Sequence, residues 1–576
     1  MKQSVLKWMN SVIGKKRVYI FILLAVQIIL GASSIFYALF LRNIIDSAAS
    51  ADTNGFFAYL AAIIALVVCQ ILLRGGVRRV EEASRAAFEN TLKSRLFSNL
   101  LKKDYAGVMS VHSGEWMNRL TNDTVVCANG LTEIIPGAAE MAVKMCGALI
   151  MIIILEPKFM YILIPGGILL IVLTYAFRKV LKRLHKNIQE KDGALRVFMQ
   201  ESLGSMLVVR SFAAEKQVEE ETAAKMEEHK KARMKRNSFS NICNMGFSGA
   251  MNGMYLLGVA YGGYGIINGT ISYGTLMAIL QLISQIQSPF ANITGYLPRF
   301  YAMISSAERL MEAESFDDHC SDTLKSAEEI HEFYEKSFKG ILFDNAEFSY
   351  FPEVKDEAGK NDCKPVVMKN LCLRIDKGEY IAFTGRSGCG KSTLLKLMMC
   401  LYPLNDGKRS LITSEGLTDL TSEWSRLFAY VPQGNQLMSG TIRDIVSFAH
   451  KERRRDETDI KRALRISCAD EFVDTLENGI DTLLGERGAG LSEGQMQRIA
   501  IARAVFSDAP ILLLDEATAA LDEQTEAMVL KNLRLMTDKT VLIVTHRPAA
   551  LEICDKLIRF SENAVETEDF HDGRRA

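Results

Sequence analysis

The chain has 576 residues, 68 basic and 68 acidic side chains, and 48% hydrophobic residues. Zero formal charge leaves no global field that would draw nucleic acid, and the length admits several domains. Eleven cysteines are scattered with no C-x-x-C among them, which argues for reduced cytosolic and membrane thiols over a disulfide framework.

Composition divides the chain. Up to about Arg299 it carries long apolar runs, and beyond Glu308 it reads as a soluble α/β protein. Lys2, Lys7, Lys15, Lys16 and Arg17 precede the first run, Val18 to Phe40, which is too long for a signal-peptide core. It is expected to be a spanning helix, with Leu6, Trp8, Met9, Val12 and Ile13 on a short interfacial helix ahead of it. Six spans follow from the apolar runs, at 18–41, 56–73, 136–155, 159–177, 245–268 and 275–298. Each approaches the roughly 20 apolar residues that a bilayer core demands.

Orientation comes from the basic residues. The second-to-third connection, about 74–135, holds Arg74, Arg78, Arg79, Arg85, Lys93, Arg95, Lys102 and Lys103. The fourth-to-fifth, about 178–244, holds Arg178, Lys179, Lys182, Arg183 and Lys186. The opposite loops are short and nearly free of such charge, so both termini are expected in the cytoplasm. The two basic connections read as helical. Gly76 to Tyr105 as one helix would project about 45 Å, far enough to serve as a coupling arm.

Within the spans, Gln281, Gln285, Ser288 and Asn292 share a face of the sixth, and Asn241, Asn244, Ser248 and Asn252 share a face of the fifth. Polar groups facing lipid are costly, so these faces either pack helix against helix or line a wet cavity. Glu140 and Lys144, four residues apart on the third span, are expected to pair.

The expected division is a membrane domain over 1–312, a linker over 313–340 and a soluble domain over 341–576. In the last, Tyr380 to Thr384 is a short apolar strand running into Gly385-Arg386-Ser387-Gly388-Cys389-Gly390-Lys391-Ser392-Thr393, which opens a helix. Strand, glycine loop and helix N-terminus make a phosphate cradle. Lys391 is expected to reach the β- and γ-phosphates, and Ser392 to bind Mg²⁺. Ile511 to Leu514 is a buried strand ending in Asp515, suited to Mg²⁺, and Glu516, suited to activating the attacking water. His546 ends another apolar strand, Val541 to Val544, and is expected at the γ-phosphate.

These signals, in this order, resemble the nucleotide-binding domain of an ATP-binding cassette (ABC) transporter. The whole chain resembles an exporter half-transporter of that superfamily. The resemblance rests on the loop 385–392, Gln433 in Val-Pro-Gln, Leu491-Ser-Glu-Gly-Gln495, Asp515-Glu516, Ala520-Leu-Asp522, His546, and Gly485-Glu-Arg-Gly488 ahead of the signature. In the membrane half, Ser113 to Asp123 and Val208 to Glu215 are similar to the exporters' two intracellular loops.

The resemblance implies an α-helical six-span transmembrane domain followed by an α/β P-loop ATPase domain of ABC type. It implies that Tyr350 stacks on adenine, and that Ser492, Gly494 and Gln495 meet the γ-phosphate bound on a second subunit. It further implies that Asp522 lies at the dimer seam, that Gln433 senses Mg²⁺ or water, and that short coupling helices fall near Tyr105–Ser113 and Ser211–Lys216. Glu516, His546 and Gln433 would be the catalytic set; Ser392, Gln433 and Asp515 would hold Mg²⁺.

With one cassette and six spans per chain, the working unit would be a homodimer or heterodimer of half-transporters. It would sit in membrane lipid, in a bacterial plasma membrane. The expected function is ATP-driven export of a drug, lipid or peptide by alternating access; the alternative is a cassette ATPase that gates or regulates a partner without pumping. Some features depart from the family. Glu493 replaces the more usual glycine of the signature, Phe351 to Pro365 reads as an exposed hairpin, 407–426 is irregular, and Phe560 to Asn563 lacks the usual glycine turn.

Overall fold

A computed structural model describes residues 5–316, 318, 324–350, 367–434, 436–485, 488, 490–560 and 565–569. The 351–365 hairpin, Glu486, Arg487 and positions 561–563 lie outside the described residues, as do the side chains of Ser288 and Asn292. The chain forms two compact units: Met1–Phe97 with Met117–Met311, and Ser98–Trp116 with Glu312–Ala576.

The first unit is helical. The short helix Val5–Ile13 buries Trp8, Met9, Val12 and Ile13, the apolar stripe that its sequence offers. Long helices follow at Val18–Ala49, Thr53–Lys102, Ile135–Leu155, Met160–Gly204, Glu215–Ile267 and Tyr273–Glu312. Among the described residues, three helical stretches within Val5–Ala49, Thr53–Lys102 and Ser113–Leu155 are long and apolar enough to cross a membrane. The second long helix outruns its apolar run because pairs four apart, such as Arg85–Glu81 and Lys93–Glu89, carry it onward through a charged stretch. Glu140 and Lys144 do pair, at 2.5 Å.

The two polar faces differ. Gln285 donates to the Ser34 carbonyl at 2.7 Å and accepts from the Ser34 hydroxyl at 3.1 Å, so it joins the first and last long helices. Asn241, Asn244, Ser248 and Asn252 are exposed within the unit.

An ion pair with a buried carboxylate fastens this unit. Asp123, fully buried, accepts from Arg309 Nε at 2.8 Å and Nη2 at 2.6 Å and from the Ser306 hydroxyl at 2.9 Å. Removing only the cation leaves a desolvated carboxylate. Arg309→Leu should therefore destabilise the protein by about 3 kcal/mol, and thermal unfolding in detergent or lipid would read this as a drop of several degrees; an unchanged Tm would contradict it.

Among the described residues the second unit holds, besides the short pair Gly440–Thr441 with Leu483–Leu484, two larger sheets. An antiparallel one runs Met368–Asp376, Phe338–Phe348, Asp406–Thr413, Gly416–Asp419, so the region that looked irregular supplies an inner strand and an edge strand. The other runs Val565–Asp569, Lys556–Phe560, Tyr380–Gly385, Thr540–Val544, Ile511–Asp515, Phe428–Val431, parallel except for the first. Its central strands Ile511–Asp515 and Thr540–Val544 are buried throughout, as parallel strands covered on both faces must be.

The segment Ser98–Trp116 belongs to this unit. Asp104 caps the short helix Tyr105–Met109 by accepting from Gly107 N, and Tyr105 packs edge-on against Tyr402 at 5.6 Å. In the first unit the corresponding short helix is Met206–Ser211, earlier than the expected 211–216. The apolar run Met206 to Val209 makes the turn, and Ala213, at φ +50°, sits beyond the helix end.

Candidate nucleotide site

Parallel strands place their C-terminal ends on one edge, where open α/β sheets bind ligands. The register does this here: Val544 aligns with Asp515 and with Phe383, and Val431 with Leu514. Gly385, Gln433, Glu516 and His546 all lie just past those strand ends. Gly385, Gly388 and Gly390 adopt φ of +144°, +84° and +100°, conformations that favour glycine. The helix Lys391–Met398 starts directly after Gly390.

Lys391 is buried, and its ammonium donates to the carbonyls of Gly385 at 2.7 Å and Arg386 at 2.9 Å. Those bonds brace the loop from inside. Arg386, Ser387 and Gly388 are exposed on its outer side, with Cys389 half-buried behind them. Thr393 is buried and shares a 2.8 Å hydrogen bond with the Tyr350 hydroxyl. Tyr350 keeps 39% of its surface exposed and stands edge-on to Phe348 and Tyr402. It is thus tied to the phosphate loop while offering part of its surface to solvent.

Asp515 is 1% exposed and accepts from the Ser392 hydroxyl at 2.9 Å and the Tyr430 hydroxyl at 3.0 Å. Burial pushes its carboxyl above the usual range, against the pull of those two donors. The same burial, next to Asp515, pushes the Tyr430 hydroxyl up, keeping it a neutral donor. Glu516 adopts φ +51°, and its N–H donates to the Val544 carbonyl at 3.0 Å. A left-handed glutamate costs about 1–2 kcal/mol. Here the strain turns its carboxylate out of the strand direction, where Gln433 Nε2 donates to it at 2.7 Å. His546 is exposed and makes no hydrogen bond among the described residues.

The hard oxygens of Ser392 and Asp515, with the Gln433 side chain close by, fit Mg²⁺, which takes one or two protein oxygens and fills its octahedron with waters and phosphate. No cluster of three or more His, Cys, Asp or Glu that could hold a metal occurs among the described residues.

The signature lies apart from this group. Ser492 caps the helix Glu493–Phe506 in a reciprocal box: Gln495 N–H donates to the Ser492 hydroxyl and Ser492 N–H to Gln495 Oε1. Among the described residues the two side chains bond only to each other's backbone N–H, and Ser492 is exposed. Gly494 lies against the 519–521 turn, where an added Cβ would meet the Ala520 carbonyl at 2.8 Å. Asp522 caps the helix Glu523–Arg534, and the donated Thr525 N–H holds its carboxyl below the usual range.

Hydrogen bonds therefore pair Ser392 with Asp515 and Gln433 with the adjacent Glu516, and tie Tyr350 to Thr393. Tyr430 and Tyr402 were not foreseen. Tyr430 follows the strand alternation of Phe428–Val431, and only the pairing with Ile511–Asp515 shows what its hydroxyl reaches.

Comparison with known proteins bears on the family and the fold. The ABC transporter transmembrane region model matches residues 18–290, and the ABC transporter model matches 368–519. An ATP-dependent lipid A-core flippase of Mannheimia succiniciproducens is 27% identical over 522 residues, covering 89% of this chain and 85% of that protein. An ABC transporter B family member 1 of Dictyostelium discoideum is 28% identical over 492 residues, 84% of this chain. The match spans about half of that longer relative, 52%. A bacterial Atm1-family ABC exporter solved with ATP bound superposes with a TM-score of 0.80 at 19% identity, over 98% of this chain and 96% of that one; at that identity the likeness speaks for the fold.

Proposed function

The chain belongs to the ABC transporters, a multi-pass membrane protein pairing a transmembrane region with an ATP-hydrolysing cassette, and from that premise we propose that it is an exporter. In this reading two such chains, identical or not, enclose ATP between them and move a hydrophobic or amphipathic solute across the membrane. Both termini lie in the cytoplasm, six helices of each chain span the bilayer, and 341–576 forms the cassette.

The observation that carries the reading is the separation of the two phosphate-binding parts. Lys391, Ser392, Asp515 and Glu516 gather at one sheet edge, while the exposed Ser492 cap is bonded only within its own helix turn. Among the described residues the Ser492 side chain turns no hydrogen bond toward the glycine loop of its own chain, which leaves it available to the nucleotide held by a partner. ATP that binds the closed pair far better than the open pair then shifts the population toward closure, and hydrolysis removes that preference.

In this reading the residues take the roles that the family resemblance implies. Lys391 exchanges two loop carbonyls for phosphate oxygens, and the loop N–H groups and helix N-terminus complete the cradle. Tyr350 offers its exposed ring surface to the adenine. Glu516 orients and deprotonates the attacking water, with Gln433 holding its carboxylate beforehand and His546 reaching the γ-phosphate. Ser392, Asp515 and Gln433 would hold Mg²⁺, which would neutralise phosphate charge there. Tyr350→Ala should raise the KM for ATP by about two- to tenfold, the worth of an aromatic stack, with little change in kcat; an unaltered KM would remove Tyr350 from the site.

Transport is tested in sealed vesicles with the cassette outside. ATP-dependent accumulation of a lipid or drug-like solute against its gradient is expected. Downhill ion conductance gated by ATP, without accumulation, would favour a channel-regulating role instead.

A further inference from the structure

His546 is exposed and carries no hydrogen bond among the described residues, so something other than its own side chain must set its position. The next residue supplies it. Arg547 donates from Nη2 to the Ala519 carbonyl at 2.6 Å and from Nη1 to the Leu521 carbonyl at 2.7 Å, gripping the turn three to five residues beyond Glu516. Its charge is met by Glu526 at 3.0 Å, a carboxylate only 2% exposed whose other oxygen accepts from the Thr518 hydroxyl at 2.7 Å. The Arg547 N–H also donates to the Thr545 hydroxyl at 3.0 Å, folding the His546 loop back on its strand.

The same turn is held from its other side. Gln497, 4% exposed on the signature helix, accepts from the Ala520 N–H at 2.9 Å. Three consecutive residues thus bind two elements: carbonyls 519 and 521 to the His546 loop, N–H 520 to the signature helix. A planar guanidinium suits this task because its fork can serve two carbonyls and a carboxylate in one fixed geometry; an ammonium is a point donor.

We propose that Arg547 is a positioning residue for ATP hydrolysis, fixing the His546 loop against the 519–521 turn so that His546 and Glu516 keep their mutual placement while Gln497 ties the same turn to the signature helix. The proposal rests on the exporter reading of the site and names a residue that acts through His546 without touching nucleotide.

The test uses the full-length protein in lipid nanodiscs, with Mg-ATP hydrolysis measured for Arg547→Lys, His546→Ala and their combination. Arg547→Lys should lower kcat about tenfold or more, the worth of a lost charged hydrogen bond, with KM for ATP within about twofold. Followed on the slow residual rate of His546→Ala, Arg547→Lys should bring no further loss, because residues acting as one unit are not additive. Folding is checked separately: Glu516→Gln with Arg547→Lys should bind ATP as tightly as Glu516→Gln alone.

Wild-type kcat in Arg547→Lys would overturn the proposal. An equal fractional loss with and without His546, or loss of ATP binding in the combined variant, would also overturn it, marking a purely structural role. Normal hydrolysis by both His546→Ala and Glu516→Gln would remove the site assignment itself and the proposal with it. Inactivity of those two beside an indifferent Arg547→Lys would sink this inference alone.

Discussion

Glu516→Gln is expected to lower kcat for ATP hydrolysis at least about a hundredfold, the span over which a positioned general base acts, while ATP binding survives. The amide keeps the size of the carboxylate and its place after the strand Ile511–Asp515, but it cannot take a proton from water. It also alters the contact with Gln433, whose Nε2 donates to the native carboxylate at 2.7 Å; an amide oxygen can still accept that bond. The cradle built by Lys391 and the glycine loop is untouched, so affinity should hold within a few-fold. Hydrolysis assays and equilibrium binding of a fluorescent ATP analogue measure the two halves of the claim. Near-normal turnover would transfer the catalytic role elsewhere.

Gly385→Ala should have the second largest effect, and for a geometric reason. Gly385 sits at φ +144°, and an added Cβ would lie 2.5 Å from the Phe560 carbonyl and 3.0 Å from Cys389 Sγ. The first obstacle is backbone of the neighbouring strand, which pairs with Gly385 through Phe560 itself. The loop has to move, and with it the carbonyl that braces Lys391 at 2.7 Å. Strain of this kind costs about 1–3 kcal/mol, so ATP affinity should fall by about ten- to a hundredfold. Binding measured on the Glu516→Gln background isolates the effect from turnover. Unchanged affinity would mean that the loop rearranges before nucleotide enters.

Much of this was readable from residues in order because phosphate binding is a local problem. A strand, a glycine turn and a helix start lie within one short stretch, and nothing distant is needed to see that Gly385 to Ser392 makes a cradle. The continuation of the helix Thr53–Lys102 past its apolar run was also legible, because the charged residues that follow keep three- and four-residue spacing. Other features depend on partners far away in sequence. Asp123 and Arg309 meet across 186 positions, and neither residue type announces the pair. Glu516 takes a left-handed backbone with no glycine or asparagine to mark it, and Ala213 does the same beyond the helix Met206–Ser211. Arg547 stood beside a residue already singled out, yet its task is visible only once the 519–521 turn is placed. The polar faces of the membrane helices illustrate both cases. Gln285 proves to be a helix-to-helix fastener, whereas the exposed row Asn241, Asn244, Ser248 and Asn252 remains open to the solute path that the exporter reading requires.

Cryo-electron microscopy of the Glu516→Gln protein in lipid nanodiscs with saturating Mg-ATP tests the central claim most directly. The account predicts two cassettes closed face to face, each nucleotide lying between Lys391 of one chain and the partner subunit's Ser492. Cassettes held apart, with ATP bound to the glycine loop and nothing approaching it from a second chain, would contradict the account.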